Sequence, residues 1–472
     1  MTLPVQRGGY YLSLPVIIVF DVGKTNKKLL LFDEQYQLVS EESFQLTETS
    51  DEDGFACEDV DALSKWVWQT YWRINSNTEY DVKGVNFSAY GASFVHLDDC
   101  YKPLTPLYNY LKPYPKPLQE QFYQKYGGET LMSRQTASPV LGSLNSGLQL
   151  YRLKYEKPDI FSQVNFSLHL PQYLSFIISS ITGSDITSIG CHTLLWNFNT
   201  HNYHDWVFKE VIRTKLAPLY KGDEIISNSQ DSKRIPVGIG LHDSSSALIP
   251  YLTSFHEPFI LLSTGTWCIS LNPFNLSPLT EEELNQDCLC YLTYQGKPVK
   301  ASRLFAGYEH EQQTKRVADH YNKSADYFSS VEFDPGIIVK LKVEKQKDDY
   351  GDLSGMKTSP FAKRDLANYA TYEEAYHQLI FDIMQQQVIS TQLVLRGTNV
   401  KRIFVDGGFC KNPVYMHLLA TAFPGIEVFA ATVSQATALG AALSLHKHWN
   451  QKALPGDLIE LKYYSIPHNI VL

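Results

Sequence analysis

From Val16 onward, apolar runs broken by short polar turns predict three successive strands in VIIVFDVGKTNKKLLLFDEQYQLVSEESFQLT, with the first turn at Gly23 to Lys27. Residues 1–14 read as an extension that precedes them. An aromatic-rich helix is predicted around Val60 to Trp72, then a strand from Val82 to Phe87 that runs into Ser88-Ala89-Tyr90-Gly91. Residues 101–135, dense in Pro and Tyr, read as an irregular lid or crossing. Residues 143–181 read as mainly helical, closing at Thr182-Gly183, and Asp205 to Leu216 as a further helix.

The centre of the pattern lies between Ile235 and Trp267. A short strand ends in His242-Asp243, small residues follow, and after a Pro-punctuated crossing a new strand runs into Ser263-Thr264-Gly265-Thr266-Trp267. FILLSTGTWCISLNPF repeats the outline of the first hairpin about half a chain later, which points to an internal duplication. Helix Tyr372 to Leu395, strand Arg402 to Val405 and the turn Asp406-Gly407-Gly408 then follow the second hairpin as helix and strand followed the first. Asn412-Pro413 is a helix start, with a capping side chain and Pro at the first helical position. A strand, IEVFAA, and a last helix, ATALGAALSL, complete the order; Gly440-Ala441-Ala442 lets a bulky or flat group approach closely.

At 472 residues, 44% apolar and 19% charged, the composition is that of a folded globular chain of two or more domains. The net charge of −9 and the lack of any run of Lys or Arg argue against a nucleic-acid partner, while leaving room for a small anionic ligand held by backbone N–H groups and one or two lysines. Seven scattered cysteines, with Cys288-Leu289-Cys290 lacking zinc spacing, read as reduced thiols of a cytoplasmic protein. Arg7 alone is basic before the first apolar run and no cleavage site follows, so a signal peptide is not expected. The longest apolar stretch, Leu168 to Ile181, holds His169, Pro171 and Gln172, so no membrane span is expected either.

Two Gly-containing hairpins, a carboxylate with small neighbours, and a Gly-Gly turn carry the candidate chemistry. Asp21-Val22-Gly23-Lys24-Thr25-Asn26-x-Lys28 joins two strands; such a turn offers amides and hydroxyls to phosphate oxygens, with Asp21 able to hold Mg²⁺ through water, or it is an ordinary polar hairpin. Asp243, before three serines, is either a helix cap or a catalytic carboxylate. Gly407-Gly408 lacks the third glycine of a dinucleotide fingerprint. The fixed order of all four features is more specific than any one of them.

In order and wording these motifs resemble the FGGY carbohydrate kinases, within the actin-like phosphotransferase group, over nearly the whole chain. The resemblance implies an α/β fold of two ribonuclease-H-like domains, each a mixed sheet flanked by helices. A sugar-binding domain at 1–250 and a nucleotide-binding domain at 251–472 would face each other across a cleft. It implies transfer of the γ-phosphoryl group of Mg·ATP to a hydroxyl of a ketose, with Asp243 catalytic and Asp21 at the metal. Gly23, Lys24, Thr25, Asn26 and Lys28 of the first hairpin, with Thr264, Gly265 and Thr266 of the second, would hold phosphates. Gly407, Gly408, Asn412 and Gly440 would line adenosine, and His242, Tyr90, Gly91 and Gln172 the sugar.

His242-Asp243 followed by Ser-x-Ala, Ser-x-Gly-Thr-Trp, and Tyr90 to Val95 are similar to the rhamnulokinase and fuculokinase branch, which implies a 6-deoxy-ketohexose such as L-rhamnulose or L-fuculose. Two departures stand out: Lys24 replaces a small or hydroxyl residue, and Tyr108-Asn109-Tyr110-Leu111-Lys112 stands where many relatives carry Trp-x-Asp-x-Arg. A pentulose or polyol acceptor, or a sensor that binds without transfer, are the alternative readings. A homodimer is compatible with all of them.

Overall fold

The computed structural model describes residues 13–24, 26–343, 353 and 358–465. Thr25, expected at a phosphate, lies outside the described residues. The chain forms two compact units: the first takes the described residues up to Ser254 with Cys290–Pro298 and Ser434–Leu458, and the second takes Phe255–Leu289, the described part of Val299–Val433, and residues from Ile459.

In the first unit, strands β1 (Leu14–Val22), β2 (Lys27–Asp33) and β3 (Leu38–Phe44) form an antiparallel meander, followed by helix α1 (Val60–Asn75) and strand β4 (Tyr80–Ala89). β4 pairs parallel with β1, so β1 lies between two neighbours and Val16 to Phe20 are fully buried. A strand covered on both faces needs a continuous apolar run, which explains why VIIVF does not alternate. α1 lays Leu63, Val67, Tyr71 and Ile74, a helical stripe, onto this core.

Helices α2 (Lys116–Lys125), α3 (Glu129–Thr136), α4 (Ser146–Glu156) and α5 (Leu170–Ser179) follow. The expected irregular stretch at 101–135 is therefore corrected in its second half. Pro115 and Pro117 sit at the start of α2, where a missing N–H costs nothing, and the aromatics pack: Phe122 stacks edge-on with Tyr123, Tyr151 and Trp206. The helix expected over 205–216 stops at Lys209, since Val211 adopts a left-handed backbone (φ 61°). Strands β5 (Ile225–Asn228), β6 (Pro236–Gly238) and β7 (Leu241–His242) complete the sheet in the order β5-β6-β4-β1-β2-β3, with β7 also on β4, and lead into helix α6 (Asp243–Ser254).

The second unit is built on β8 (Phe259–Thr264), β9 (Cys268–Asn272), β10 (Cys288–Leu292), β11 (Pro298–Leu304), helices α7 (Ala306–Tyr321) and α8 (Tyr372–Leu395), β12 (Arg402–Gly407), α9 (Pro413–Ala422), β13 (Glu427–Thr432) and, after a helix α10 (Ala436–Ser444), β14 (Glu460–Tyr464). Its sheet runs β10-β11-β9-β8-β12-β13-β14, with β8–β12 and β12–β13 parallel. Each sheet thus holds an antiparallel hairpin whose first strand has a parallel partner on its other side: β3-β2-β1-β4 and β11-β9-β8-β12. The duplication expected from the two hairpins is present in the topology. α8 spans the residues expected for it, capped by the Thr371 side chain on the Glu374 amide.

Later segments of the chain, Cys290–Pro298 and Ser434–Leu458, pack with the first unit. α10, with Gly440, belongs to the first unit, where Asn86 Nδ2 donates to the Ala441 carbonyl at 2.8 Å. A Cβ at Gly440 would lie 2.7 Å from the Ser246 carbonyl carbon, so glycine is what allows α10 to cross α6 at this distance. Among the described residues, no helix is long and apolar enough to cross a membrane.

Candidate active site

Three strand ends of the first unit converge. β1 and β4 pair Asp21 with Ser88 and Val22 with Ala89, while β7 and β4 pair Leu241 with Ser88 and His242 with Ala89. Parallel pairing brings the carboxyl ends of the strands together, which is where α/β sheets place their ligands. Asp21, Ser88, His242 and, one residue on, Asp243 therefore gather at one edge of the sheet.

Asp21 Oδ2 accepts from Thr437 Oγ1 at 2.6 Å. Burial pushes its pKa up to about 6, opposed by the hydroxyls of Thr437 and Ser88, and the charge of Asp243 raises it further. Asp243 is the first residue of α6, where the positive end of the helix dipole favours a carboxylate. Its Oδ1 accepts the amide and hydroxyl of Ser244 at 2.6 and 3.3 Å, bonds that oppose a burial-driven rise to about 6. A capping side chain bonds the amide two or three residues on; this one turns to its immediate neighbour. With 32% of its side chain open, Asp243 remains within reach of a ligand.

His242 is buried and held neutral, its pKa lowered to about 4 by desolvation. Its Nδ1 lies 3.2 Å from the Ser244 amide and 3.2 Å from Asp243 Oδ1. Gly91 sits against the ring: a Cβ there would lie 2.5 Å from His242 Nε2. Gly91 is thus a packing requirement of His242. Tyr90 is buried, its hydroxyl toward Glu58 and its ring 5.7 Å from Tyr110. Gln172 donates from Nε2 to the Gly240 carbonyl at 2.9 Å, and its buried Oε1 has no partner among the described residues. Gln172 therefore props the loop before β7.

The first hairpin keeps its lysines engaged. Gly23 closes the turn with its amide on the Asn26 carbonyl at 2.9 Å. Lys24 pairs with Glu48 at 2.8 Å, so of the two directions open to it, contact with a phosphate or projection into solvent, the side chain takes neither outright. Lys27 pairs with the buried Glu58 at 2.9 Å, and Lys28 with Glu41 at 2.8 Å and Gln435 at 3.1 Å.

In the second unit the two Gly-containing turns interlock. Thr264 Oγ1 donates to the Asp406 carbonyl at 2.5 Å and accepts the Phe409 amide at 3.0 Å, while the Gly408 amide donates to the Thr264 carbonyl at 2.8 Å. Gly407 has a left-handed backbone (φ 88°), and a Cβ there would lie 2.8 Å from the Thr264 carbonyl carbon. Gly265 donates to the Trp267 carbonyl at 2.9 Å and Tyr308 donates to the Thr266 carbonyl at 3.1 Å. Asn412 caps α9 through the Tyr415 amide and donates from Nδ2 to Tyr376 Oη at 2.8 Å. Thr264, Gly265, Thr266, Gly407, Gly408 and Asn412 are thus brought together here. Gly440, expected with them, lies in the first unit, packed against α6.

Ser88 and Thr437 are the site residues the sequence reading did not assign. Thr437 lies 416 residues from Asp21, and no spacing rule connects them. The charge of Asp243 raises the pKa of Asp21, and the two carboxylates with the hydroxyls of Thr437 and Ser88 offer oxygen donors suited to a hard divalent cation such as Mg²⁺.

Comparison with known proteins bears on the chemistry. Residues 16–250 match the N-terminal domain of the FGGY family of carbohydrate kinases, and residues 256–453 match a carbohydrate kinase FGGY C-terminal domain. A rhamnulokinase of Halalkalibacterium halodurans is 23% identical over 448 residues, covering 90% of this chain and 91% of the relative. A carbohydrate kinase from Novosphingobium aromaticivorans shares the fold at a TM-score of 0.79 and 20% identity, covering 96% of this chain and 95% of that one. A ligand-bound xylulose kinase from Lactobacillus acidophilus does so at 0.75 and 16%, covering 96% and 94%.

Proposed function

The chain belongs to the FGGY family of carbohydrate kinases and is a sugar kinase, and from that premise we propose that it transfers the γ-phosphoryl group of Mg·ATP to a hydroxyl of a 6-deoxy-ketohexose such as L-rhamnulose or L-fuculose, with Asp243 as the base. The observation that carries the mechanism is the meeting of Asp243 and Asp21 at the strand ends of the first unit. The acceptor class is supported by the rhamnulokinases among the relatives and by the His242-Asp243 pair.

Asp243 takes the proton of the sugar hydroxyl as its oxygen bonds to the γ-phosphorus and the bond to the ADP oxygen breaks. A carboxylate near pKa 6 is ionised at neutral pH, yet basic enough to accept that proton, a role worth roughly 10²–10⁴ in rate. Positioning and charge stabilisation supply the rest. Asp21, steadied by Thr437, would hold Mg²⁺ through water, and the cation would supply neutralisation of phosphate charge. His242, neutral, offers Nε2–H to a sugar hydroxyl. The second hairpin and the Gly407-Gly408 turn, locked through Thr264, present a low-profile backbone to the nucleotide. Reduced, undisulfided thiols suit an enzyme of the cytoplasm.

A coupled ADP-release screen over L-rhamnulose, L-fuculose, D-xylulose, L-ribulose and glycerol tests the acceptor. Turnover is expected on one of the first two, and preference for D-xylulose, L-ribulose or glycerol would replace this acceptor with a pentulose or polyol. Asp243→Asn is expected to bind ATP normally while kcat falls at least 10²-fold. Near-wild-type turnover in that variant would remove the mechanism.

A further inference from the structure

Beside the carboxylate pair lies a second donor set of different character. Cys191, His192 and His242, all buried in the first unit, each turn one ligand atom inward, and the three atoms lie within 4.8 Å of one another. A filled tetrahedral site holds such S and N atoms about 3.4–3.6 Å apart, so small side-chain rotations would close this triangle on a cation. We propose that Cys191, His192 and His242 form a site for a borderline-soft divalent cation of the zinc class, and that its occupation switches off sugar phosphorylation.

The surroundings are those of a metal site. Ligating imidazoles are usually steered by a hydrogen bond from the other ring nitrogen. His192 Nδ1 is 3.2 Å from the Leu144 carbonyl, which directs Nε2 to the cation. His242 Nδ1 accepts the Ser244 amide at 3.2 Å, which leaves Nε2 toward the cation, and the space at Nε2 is kept by Gly91, where a Cβ would intrude to 2.5 Å. The Tyr291 ring closes on both imidazoles, with centroids 6.3 and 6.4 Å away. One thiolate and two imidazoles select zinc over magnesium, whereas the Asp21–Asp243 pair has the opposite preference. The two cations therefore sort to separate donor sets.

The switch follows from the shared histidine. Binding displaces the Cys191 thiol proton to solvent and moves the His242 proton from Nε2 to Nδ1, which gives up the Ser244 amide it otherwise accepts and leaves that amide to Asp243 Oδ1 alone. Nε2 is then bonded to metal and no longer serves a sugar hydroxyl. Nδ1–H donates to Asp243 Oδ1, the oxygen needed to receive the substrate proton. This inhibitory arm rests on the reading of Asp243 as base; cation binding itself does not.

The test uses the full-length protein freed of metal, with Co²⁺ as a spectroscopic stand-in for Zn²⁺. One equivalent is expected to give a thiolate-to-cobalt charge-transfer band with the intense visible bands of tetrahedral cobalt, displaced by Zn²⁺. Cys191→Ser should lose the band and weaken affinity by more than the ~10–100-fold typical of outer-shell changes. His192→Gln should weaken it independently. A band that persists in Cys191→Ser, or no uptake at micromolar cation, would overturn the site. In kinase assays with excess Mg²⁺, micromolar Zn²⁺ should inhibit the wild type, reversibly by a zinc-selective chelator, and spare Cys191→Ser, whose activity without zinc is unchanged. Cobalt binding as expected but with equal inhibition of both proteins, or of neither, would overturn the switch.

Discussion

Replacing Gly91 with Ala tests whether the base is positioned through the imidazole beside it. The added Cβ would stand 2.5 Å from His242 Nε2, where ordinary contact begins at ~3.5 Å, so ring or strand must yield by about 1 Å. The ring has little freedom, being buried at the end of β7 with Nδ1 3.2 Å from the Ser244 amide and from Asp243 Oδ1. Its displacement therefore passes to the first turn of α6, where Asp243 sits. Overpacking of this kind costs about 1–3 kcal/mol of stability. A shift of ~1 Å in reacting groups costs about 10²-fold in rate.

Gly91→Ala is thus expected to lower kcat about 10²-fold and reduce thermal stability, with nucleotide affinity unchanged. The assay is steady-state kinetics beside thermal denaturation, on Gly91→Ala, His242→Ala and the double variant. If the clash is the cause, removing the ring relieves it, and the double variant matches His242→Ala in both kcat and stability. Wild-type kinetics in Gly91→Ala, or a further loss when it is added to His242→Ala, would refute the reasoning.

Gly307→Ala puts a Cβ 2.8 Å from the Gly265 carbonyl carbon and 3.1 Å from the Thr266 carbonyl oxygen, so calorimetry should show at least tenfold weaker ATP binding with sugar binding retained. Thr437→Val removes the hydroxyl on Asp21; a hydrogen bond to a charged group is worth about 1.5–3 kcal/mol, so the Mg²⁺ concentration for half-maximal activity should rise by about tenfold or more. His169, stacked on Phe94 and held neutral by burial with a pKa near 3, makes the fold acid-sensitive. The unfolded chain takes up its proton near pH 6.5 and the folded one does not, so this contribution is complete above pH 6.5 and is lost as pH falls toward 3. At pH 5 the loss amounts to about 2 kcal/mol; urea midpoints of wild type and His169→Gln should show a smaller acid loss in the variant, and parallel losses would contradict it.

Much of the scaffold was written in local pattern. The two hairpins, α8 and the Asn412-Pro413 helix start are set by apolar runs, turn glycines and caps that act over a few residues, and they lie where the periodicity puts them. The helices at 116–136 were hidden because prolines and tyrosines, read as loop formers, here begin a helix and fill an aromatic cluster. Gly440 shows the limit at the site. Its chemistry was legible as close approach, but which element approaches was not, and the neighbour is the helix that begins with Asp243. Thr437 on Asp21 and Cys191 beside His242 are likewise pairings of distant segments, set by strand order and helix packing with no trace in spacing.

The duplication explains why one copy carries a carboxylate pair at its strand ends and the other does not. At the paired ends of β1 and β4, Asp21 stands opposite Ser88; at the corresponding ends of β8 and β12, Ser263 stands opposite Asp406. The same two residue types have exchanged strands. In the first unit the carboxylate lies on the hairpin strand, next to the strand end that leads into α6, and a second carboxylate, Asp243, meets it. In the second unit the carboxylate lies on the strand before the Gly-Gly turn, where Asp406 Oδ1 accepts the Gly407 amide at 2.6 Å, and the hairpin that follows Ser263 is left with hydroxyls and amides. A hairpin lacking its own carboxylate suits phosphate oxygens, which a fixed negative charge would repel, while one bearing it suits the cation those oxygens bring. The same scaffold thus supplies, by one exchange between neighbouring strands, an anion-tolerant turn in one unit and a cation-seeking one in the other.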